Sequence, residues 1–232
     1  QSWERPTGRM RALLLLLCLL FLTRANAVRA DRNDSCEAWA NQGECEANQP
    51  YMLVHCATSC DAVAKAASEG LDGIESFFDL SAKDIDGNAI AFESFRGKVT
   101  VLTNVASYCG YTESHYRGLV ELWSVMSDKA VEILAFPCNQ FGAQEPEEAD
   151  KIKDFASSKG VRFRIMEKIN VNGPNAHQVY KYLKAQAGPP SINWNFGTYF
   201  VVGPNGVVES HSGVGPMELR DVVDELLEKE EL

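Results

Sequence analysis

Positive charge is in short supply. The 232-residue chain sets 22 Lys and Arg against 32 Asp and Glu, a formal net charge of -10. Five of those basic residues, Arg5, Arg9, Arg11, Arg24 and Arg29, sit at the extreme N-terminus, so the remainder is more acidic still. No basic stripe follows them, which makes nucleic acid and anionic membrane surfaces poor partners. A membrane-spanning run is also missing. The apolar stretch Ala12–Leu22 is shorter than the roughly 20 residues that a spanning helix needs. Nor is there a bias toward disorder or a collagen-like repeat: 45% hydrophobic and 23% charged is ordinary for a globular chain. The length suits one domain with accessories.

What the N-terminus does contain reads as a targeting segment. Arg9 and Arg11 precede the apolar run. Ala25-Asn26-Ala27 follows it, and Val28-Arg29-Ala30 offers a second cleavage site. This is the order of a secretory signal peptide, with an uncleaved anchor as the alternative. Gln1–Arg9 lack a starting Met, whereas Met10-Arg11 would begin an ordinary signal. Residues 1–30 are therefore expected to be an upstream extension and a signal peptide.

The cysteines divide into groups. Cys18 lies in the apolar run; Cys36, Cys45, Cys56 and Cys60 cluster; Cys109 and Cys138 stand apart. In a secreted context an even cluster is expected to form disulfides rather than hold zinc, and no metal site is expected. His55, beside Cys56, reads as a surface residue. Asp34–Cys60 has few large apolar side chains, and a segment this short needs cross-links to hold a fold. Four cysteines allow three pairings.

The run resembles an ShK-type module. The resemblance is carried by Cys36 with Trp39-Ala40, Gly43-Glu44-Cys45, Tyr51-Met52, Cys56 and Ser59-Cys60. Such modules have six cysteines; the first and last, which bond each other, are missing here. The resemblance implies the pairs Cys36–Cys56 and Cys45–Cys60. Residues 34–62 are then either a binding module or a stapled spacer, since nothing in them names a ligand. Residues 63–72 are rich in small residues and read as a linker with some helical tendency.

From residue 73 to 228 the pattern turns α/β. Phe77–Leu80 and Ala89–Phe92 flank the turn Asp86-Gly87-Asn88. Val99–Val105 and Val131–Phe136 are apolar, β-branched runs expected to be buried strands, and Arg164–Val171 reads as a third strand. Helices are expected at Thr112–Ser127, Pro146–Ser158, Pro174–Ala187 and Met217–Glu230. Tyr199–Val202 and Val207–Ser210 flank Pro204-Asn205-Gly206, a second hairpin. This order predicts a thioredoxin-like fold, a central mixed sheet with helices on both faces, preceded by the small disulfide-rich module.

Cys109 falls between the strand Val99–Val105 and the helix opening near Thr112. Orphan N–H groups and the helix dipole there stabilise a thiolate, which is the reactive form of cysteine. The position alone fits either a reactive thiol or a buried core cysteine.

The surrounding words resemble those of the glutathione peroxidases. The segment Asn104-Val105-Ala106-Ser107-Tyr108-Cys109-Gly110-Tyr111-Thr112 resembles their active-site run. Leu134-Ala135-Phe136-Pro137-Cys138-Asn139-Gln140-Phe141-Gly142-Ala143-Gln144-Glu145-Pro146 resembles their second signature, and Trp194-Asn195-Phe196 their third. Val171-Asn172-Gly173-Pro174-Asn175-Ala176-His177 fits as well. The resemblance implies a peroxide-reducing enzyme with Cys109, Gln144, Trp194 and Asn195 at the reactive centre. The two amides and the indole are neutral donors, able to stabilise a thiolate and then the leaving oxygen. Cys109 stands where many relatives carry selenocysteine. Attack would leave it as a sulfenic acid that a thiol must reduce.

Thioredoxin-dependent relatives carry a resolving cysteine where this chain has Ser157. Two routes remain open. An external thiol, glutathione or a protein dithiol, can attack directly, or Cys138 can condense with Cys109. Cys138 reads equally as a structural core thiol. No bound cofactor is expected. The ending Lys229-Glu230-Glu231-Leu232 resembles a receptor-read retention signal. With a signal peptide it points to the endoplasmic reticulum lumen, secretion being the alternative. The same pairing fits a resemblance to the endoplasmic-reticulum members of the family, which implies an alternative role, a redox relay that oxidises disulfide isomerase-type proteins. Tetrameric relatives carry an insertion where 16 residues separate His177 from Trp194, so a monomer is expected.

Overall fold

The computed structural model describes residues 30–229; the signal-like segment and Glu230–Leu232 lie outside it. The N-terminal module is four short helices: α1 (Cys36–Asn41), α2 (Glu44–Ala47), α3 (Gln49–His55) and α4 (Ala57–Ser68). Gly43, at φ 90°, reverses the chain between α1 and α2. The module's core holds little beyond Ala40, Met52 and the half-cystines, with Trp39 and Val63 against it. Cross-links supply what so small an apolar interior cannot: Cys36 is bonded to Cys56 and Cys45 to Cys60. Asp31 caps α4, accepting from the N–H of Thr58 at 3.0 Å and of Ser59 at 3.2 Å. The stretch read as a linker is therefore helical as far as Ser68. His55 stacks on Tyr51 at 4.4 Å between ring centroids.

The α/β domain opens with a hairpin, β1 (Ser81–Lys83) against β2 (Ala89–Ala91). Five further strands follow: β3 (Val99–Val105), β4 (Val131–Pro137), β5 (Arg164–Ile165), β6 (Thr198–Val202) and β7 (Val208–Ser212). They form one mixed sheet in the order β5-β4-β3-β6-β7, parallel across β3–β4–β5 and antiparallel across β3–β6–β7. The central strands β3 and β4 are mostly apolar and buried along nearly their whole length because both faces are covered. Leu102, Leu134, Phe136, Phe200 and Val202 point to one side, where they meet helix α7 (Gln178–Ala187) through Val179, Tyr180 and Leu183. Val99, Val101, Ile133, Ala135, Tyr199 and Val201 point to the other. There they meet α5 (Thr112–Met126), α6 (Ala149–Ser158) and α8 (Arg220–Glu228). This is the thioredoxin-like arrangement expected.

The departures are local. Phe77–Asp79 is a 3-10 turn rather than strand, closed by Ser76 and Asp79 in a reciprocal cap. Helix α6 begins at Ala149 rather than Pro146, because the Lys168 ammonium binds the carbonyls of Glu145, Pro146 and Glu147. Helix α7 begins at Gln178 rather than Pro174, where His177 caps it by accepting from the N–H of Val179. The run Arg164–Val171 pairs with β4 only over Arg164–Ile165. Beyond that the chain is drawn away: Ile169 N–H donates to Pro137, and the N–H groups of Val171 and Asn172 donate to the side chain of Gln140. The closing helix is preceded by a separate 3-10 turn, Pro216–Leu219.

Candidate active site

Strands β3 and β4 are parallel, and β6 runs opposite to them. The segments after β3, after β4 and before β6 therefore meet at one end of the sheet, and they carry Cys109, Gln144 and Trp194-Asn195 respectively. Cys109 is 7% exposed. Thr112, the first residue of α5, pins it. The Thr112 hydroxyl accepts from the Cys109 N–H at 3.1 Å and donates to the Ala106 carbonyl at 2.6 Å. The sulfur accepts from the Tyr111 N–H at 3.5 Å, so the thiol faces the open N-terminal end of α5.

Gln144 joins this loop through its backbone: its carbonyl accepts from the Tyr108 N–H at 3.0 Å. Its side-chain Oε1 accepts from Asn195 Nδ2 at 3.4 Å. That bond turns the Gln144 amide so that Nε2 lies on the other side, while Asn195 keeps its second N–H. Asn195 is fully buried, and its Oδ1 accepts from Asn104 Nδ2 at 3.0 Å. The same Asn104 amide reaches the Trp194 carbonyl at 3.3 Å. The Trp194 indole leans on Phe141, 5.9 Å between centroids, and is 39% exposed. Beside it lies a cavity of about 380 Å³ lined by Tyr111, His115, Trp194, Phe196, Gly197 and Val214. His115 holds the Tyr199 hydroxyl at 2.6 Å, and burial pushes its pKa down, so it lines this space as a neutral ring.

Two residues other than glycine have positive φ among the described residues, Ala143 at 51° and Phe196 at 62°. Each is the immediate neighbour of a donor, Gln144 or Asn195. Left-handed backbone at a residue with a Cβ is costly and is kept where the surroundings enforce it, commonly at functional sites.

Cys138 is not part of this assembly. It continues the alternation of β4 onto the opposite face of the sheet, packed with Leu134, Phe136 and Tyr180, whereas Cys109 packs on the α5 face. It is fully buried, and desolvation pushes its thiol up to about 11.

Residues 77–184 match the family described as Glutathione peroxidase. The glutathione peroxidase-like peroxiredoxin 2 of Saccharomyces cerevisiae is 44% identical over 160 residues, which cover 66% of this chain and 98% of that one. The chain belongs to the glutathione peroxidase family. A probable phospholipid hydroperoxide glutathione peroxidase of Mesembryanthemum crystallinum is 45% identical over 61% of this chain and 85% of its own. The crystal structure of T. cruzi GPX1 superposes with a TM-score of 0.55 at 30% identity, covering 66% of this chain and 97% of that one. Residues 28–62 match the ShK domain-like family. As a member of that family the chain is a peroxidase-type oxidoreductase.

Two structural residues of the peroxidase site escaped the sequence reading. Asn104 is a polar residue inside an otherwise apolar buried strand. A buried amide demands partners, and that demand was the available signal. Glu145 is fully buried beneath the Cys109 loop, with Oε2 accepting from the N–H and hydroxyl of Ser107 at 2.8 and 3.0 Å. Its Oε1 has no partner among the described residues. Burial raises its pKa, opposed by the Ser107 hydrogen bonds and the Lys168 charge. A carboxyl with a raised native pKa stabilises the fold fully below its unfolded pKa, and that contribution is lost as pH rises through the native one. Glu145→Gln keeps an oxygen for Ser107 and removes the titration. Its unfolding free energy is expected to fall less than that of the parent as pH rises above the ordinary carboxylate range. Superimposable pH profiles from urea unfolding would contradict this account of the buried carboxyl.

Proposed function

We propose that Cys109 is the peroxidatic residue and that its oxidised form is reduced by a thiol from outside the chain. The Cys109 thiolate attacks the nearer peroxide oxygen. An S–O bond forms and the O–O bond breaks; sulfur loses two electrons and becomes a sulfenic acid. The leaving oxygen takes up the proton that the thiol gave and departs as water or an alcohol. Gln144, Trp194 and Asn195 serve as neutral donors to the charge that passes from sulfur to oxygen. An external thiol then condenses with the sulfenic acid, releasing water, and a second thiol breaks the mixed disulfide and restores Cys109.

The observation that carries this reading is the convergence, at one end of the sheet, of a thiol at a helix N-terminus with the Gln144–Asn195–Trp194 group. The external route is supported by Cys138, buried on the far face with a thiol held protonated. Cys138→Ala is accordingly expected to leave steady-state peroxide turnover with glutathione or a dithiol protein unchanged. A collapse of turnover while Cys109 still oxidises normally would show that Cys138 resolves the intermediate.

The same reading places the enzyme in the endoplasmic reticulum lumen, contributing to the response to oxidative stress. There disulfide isomerase-type dithiols are candidate electron donors, and peroxide removal would drive disulfide formation. Support comes from the signal-like Arg9–Ala27 and the two disulfides of the module, which need an oxidising compartment. Fractionation of native cells is expected to find the protein with markers of the lumen. Quantitative secretion of the unaltered chain would make it an extracellular enzyme instead.

A further inference from the structure

The peroxidase chemistry leaves the cysteine-rich module without a role, yet the module sits tightly on the catalytic domain. A methyl group added to Gly43 would lie 2.3 Å from the Ser191 hydroxyl oxygen, and one added to Gly173 would lie 2.7 Å from Asn41 Oδ1. At both points the backbone of one unit meets a side chain of the other, with only glycine's missing Cβ allowing the approach. The end of α4 is fastened as well. Gln178 Nε2 donates to the Gly70 carbonyl at 2.5 Å and Lys181 Nζ to the Glu69 carbonyl at 3.1 Å. Between the units remains a cavity of about 190 Å³ bordered by Ala40, Asn41, Val63, Asn172, Ala176 and Pro190.

Two of the segments that the module touches, those of Gly173 and Ser191, are joined to each other by one buried side chain. Asn172 is 3% exposed. Its Nδ2 donates to the Ile192 carbonyl at 2.7 Å, and its Oδ1 accepts from the Ile192 N–H at 2.9 Å and from Lys184 Nζ at 3.3 Å. The backbone of Asn172 is gripped in turn by Gln140, which accepts from its N–H and donates to its carbonyl, both at 3.0 Å. Gln140 begins the loop that carries Gln144, and Ile192 begins the turn that carries Trp194 and Asn195. The contact residues of the module are the chain neighbours of this pair: Gly173 follows Asn172, and Ser191 precedes Ile192.

We infer that the module works in cis as a brace, holding Gly173 and Ser191 so that the Asn172–Ile192 pair sets Trp194 and Asn195 against Gln144 and Cys109. Asn172 is the positioning residue in this device; it touches no reacting atom. The inference rests on the reading of Cys109 and its donors given above. Small misplacements of positioned groups are amplified in rate, so the effect belongs in the peroxide step rather than in folding.

The test is a double-mutant cycle on the full chain. Three variants are compared with the parent: Cys45→Ser with Cys60→Ser, which removes one disulfide from the module; Asn172→Ala; and the two combined. Stopped-flow oxidation of Cys109 by hydrogen peroxide is read beside alkylation of Cys109 by iodoacetamide, which needs no leaving-oxygen stabilisation. Each change alone is expected to slow oxidation about tenfold while alkylation and the circular dichroism spectrum hold. The combination is expected to be no slower than the worse single variant, because one connection carries both effects. An unchanged oxidation rate in the disulfide variant would overturn the brace. Multiplying effects would overturn the shared connection. Should Asn172→Ala fail to fold, Asn172→Asp takes its place, since it keeps the acceptor for the Ile192 N–H and Lys184 and sets a repelling oxygen against the Ile192 carbonyl. Absence of Cys109 oxidation in the unaltered chain would instead count against the reading of Cys109.

Discussion

Cys109→Ser is expected to consume no peroxide while folding as the parent does. Serine replaces one small side chain by another at a site 7% exposed, and its hydroxyl can accept from the Tyr111 N–H as the thiol does. What it lacks is a nucleophile: an alcohol stays protonated at neutral pH, whereas a thiol supplies an appreciable fraction of thiolate. Peroxide consumption in the presence of excess thiol, followed over several turnovers, gives the answer directly. Turnover near that of the parent would mean that the chemistry lies elsewhere, and Cys138 would then have to be considered despite its burial.

The second large effect is expected at the donors. Gln144→Ala removes the amide and also the acceptor for Asn195 Nδ2, while its backbone bond to Tyr108 survives. Trp194→Phe keeps an aromatic ring against Phe141 and deletes only the indole N–H. If each group stabilises developing negative charge, loss of one slows Cys109 oxidation by about 100–1,000-fold. Reduction of the sulfenic acid, a separate step, is expected to change less. Stopped-flow oxidation rates that match the parent in both variants would show that the two residues only shape the loop.

Much of this arrangement was legible before any coordinates. The strands Val99–Val105 and Val131–Pro137 are mostly apolar because helices cover both of their faces, and that is visible in a string of residues. The misplaced boundaries share one cause. Lys168, His177 and Gln140 each reach across the fold to take the backbone groups of another segment, and a reading confined to local periodicity has no access to such bonds. The donor residues were legible by resemblance alone; taken singly, Gln144 would be a loop glutamine and Asn195 a turn asparagine. Asn104 and Asn172, which tie the donor segments together, could have been suspected only from the discomfort of a buried amide. Their partners lie about 90 and 20 residues away in sequence, so their identity waits for the three-dimensional arrangement. Cys138 continues the alternation of Leu134 and Phe136, which carries it to the face of the sheet opposite Cys109.

The central claim is that peroxide converts Cys109 into a sulfenic acid that waits for a thiol from outside the chain. The most direct measurement is peptide mass spectrometry of the full protein after one equivalent of hydrogen peroxide, quenched with dimedone in the absence of any reductant. The account predicts a dimedone adduct on the Cys109 peptide, with Cys138 recovered as a free thiol and the Cys36–Cys56 and Cys45–Cys60 bridges intact. A Cys109–Cys138 disulfide in place of the adduct, or an unmodified Cys109 after the peroxide has been consumed, would contradict it.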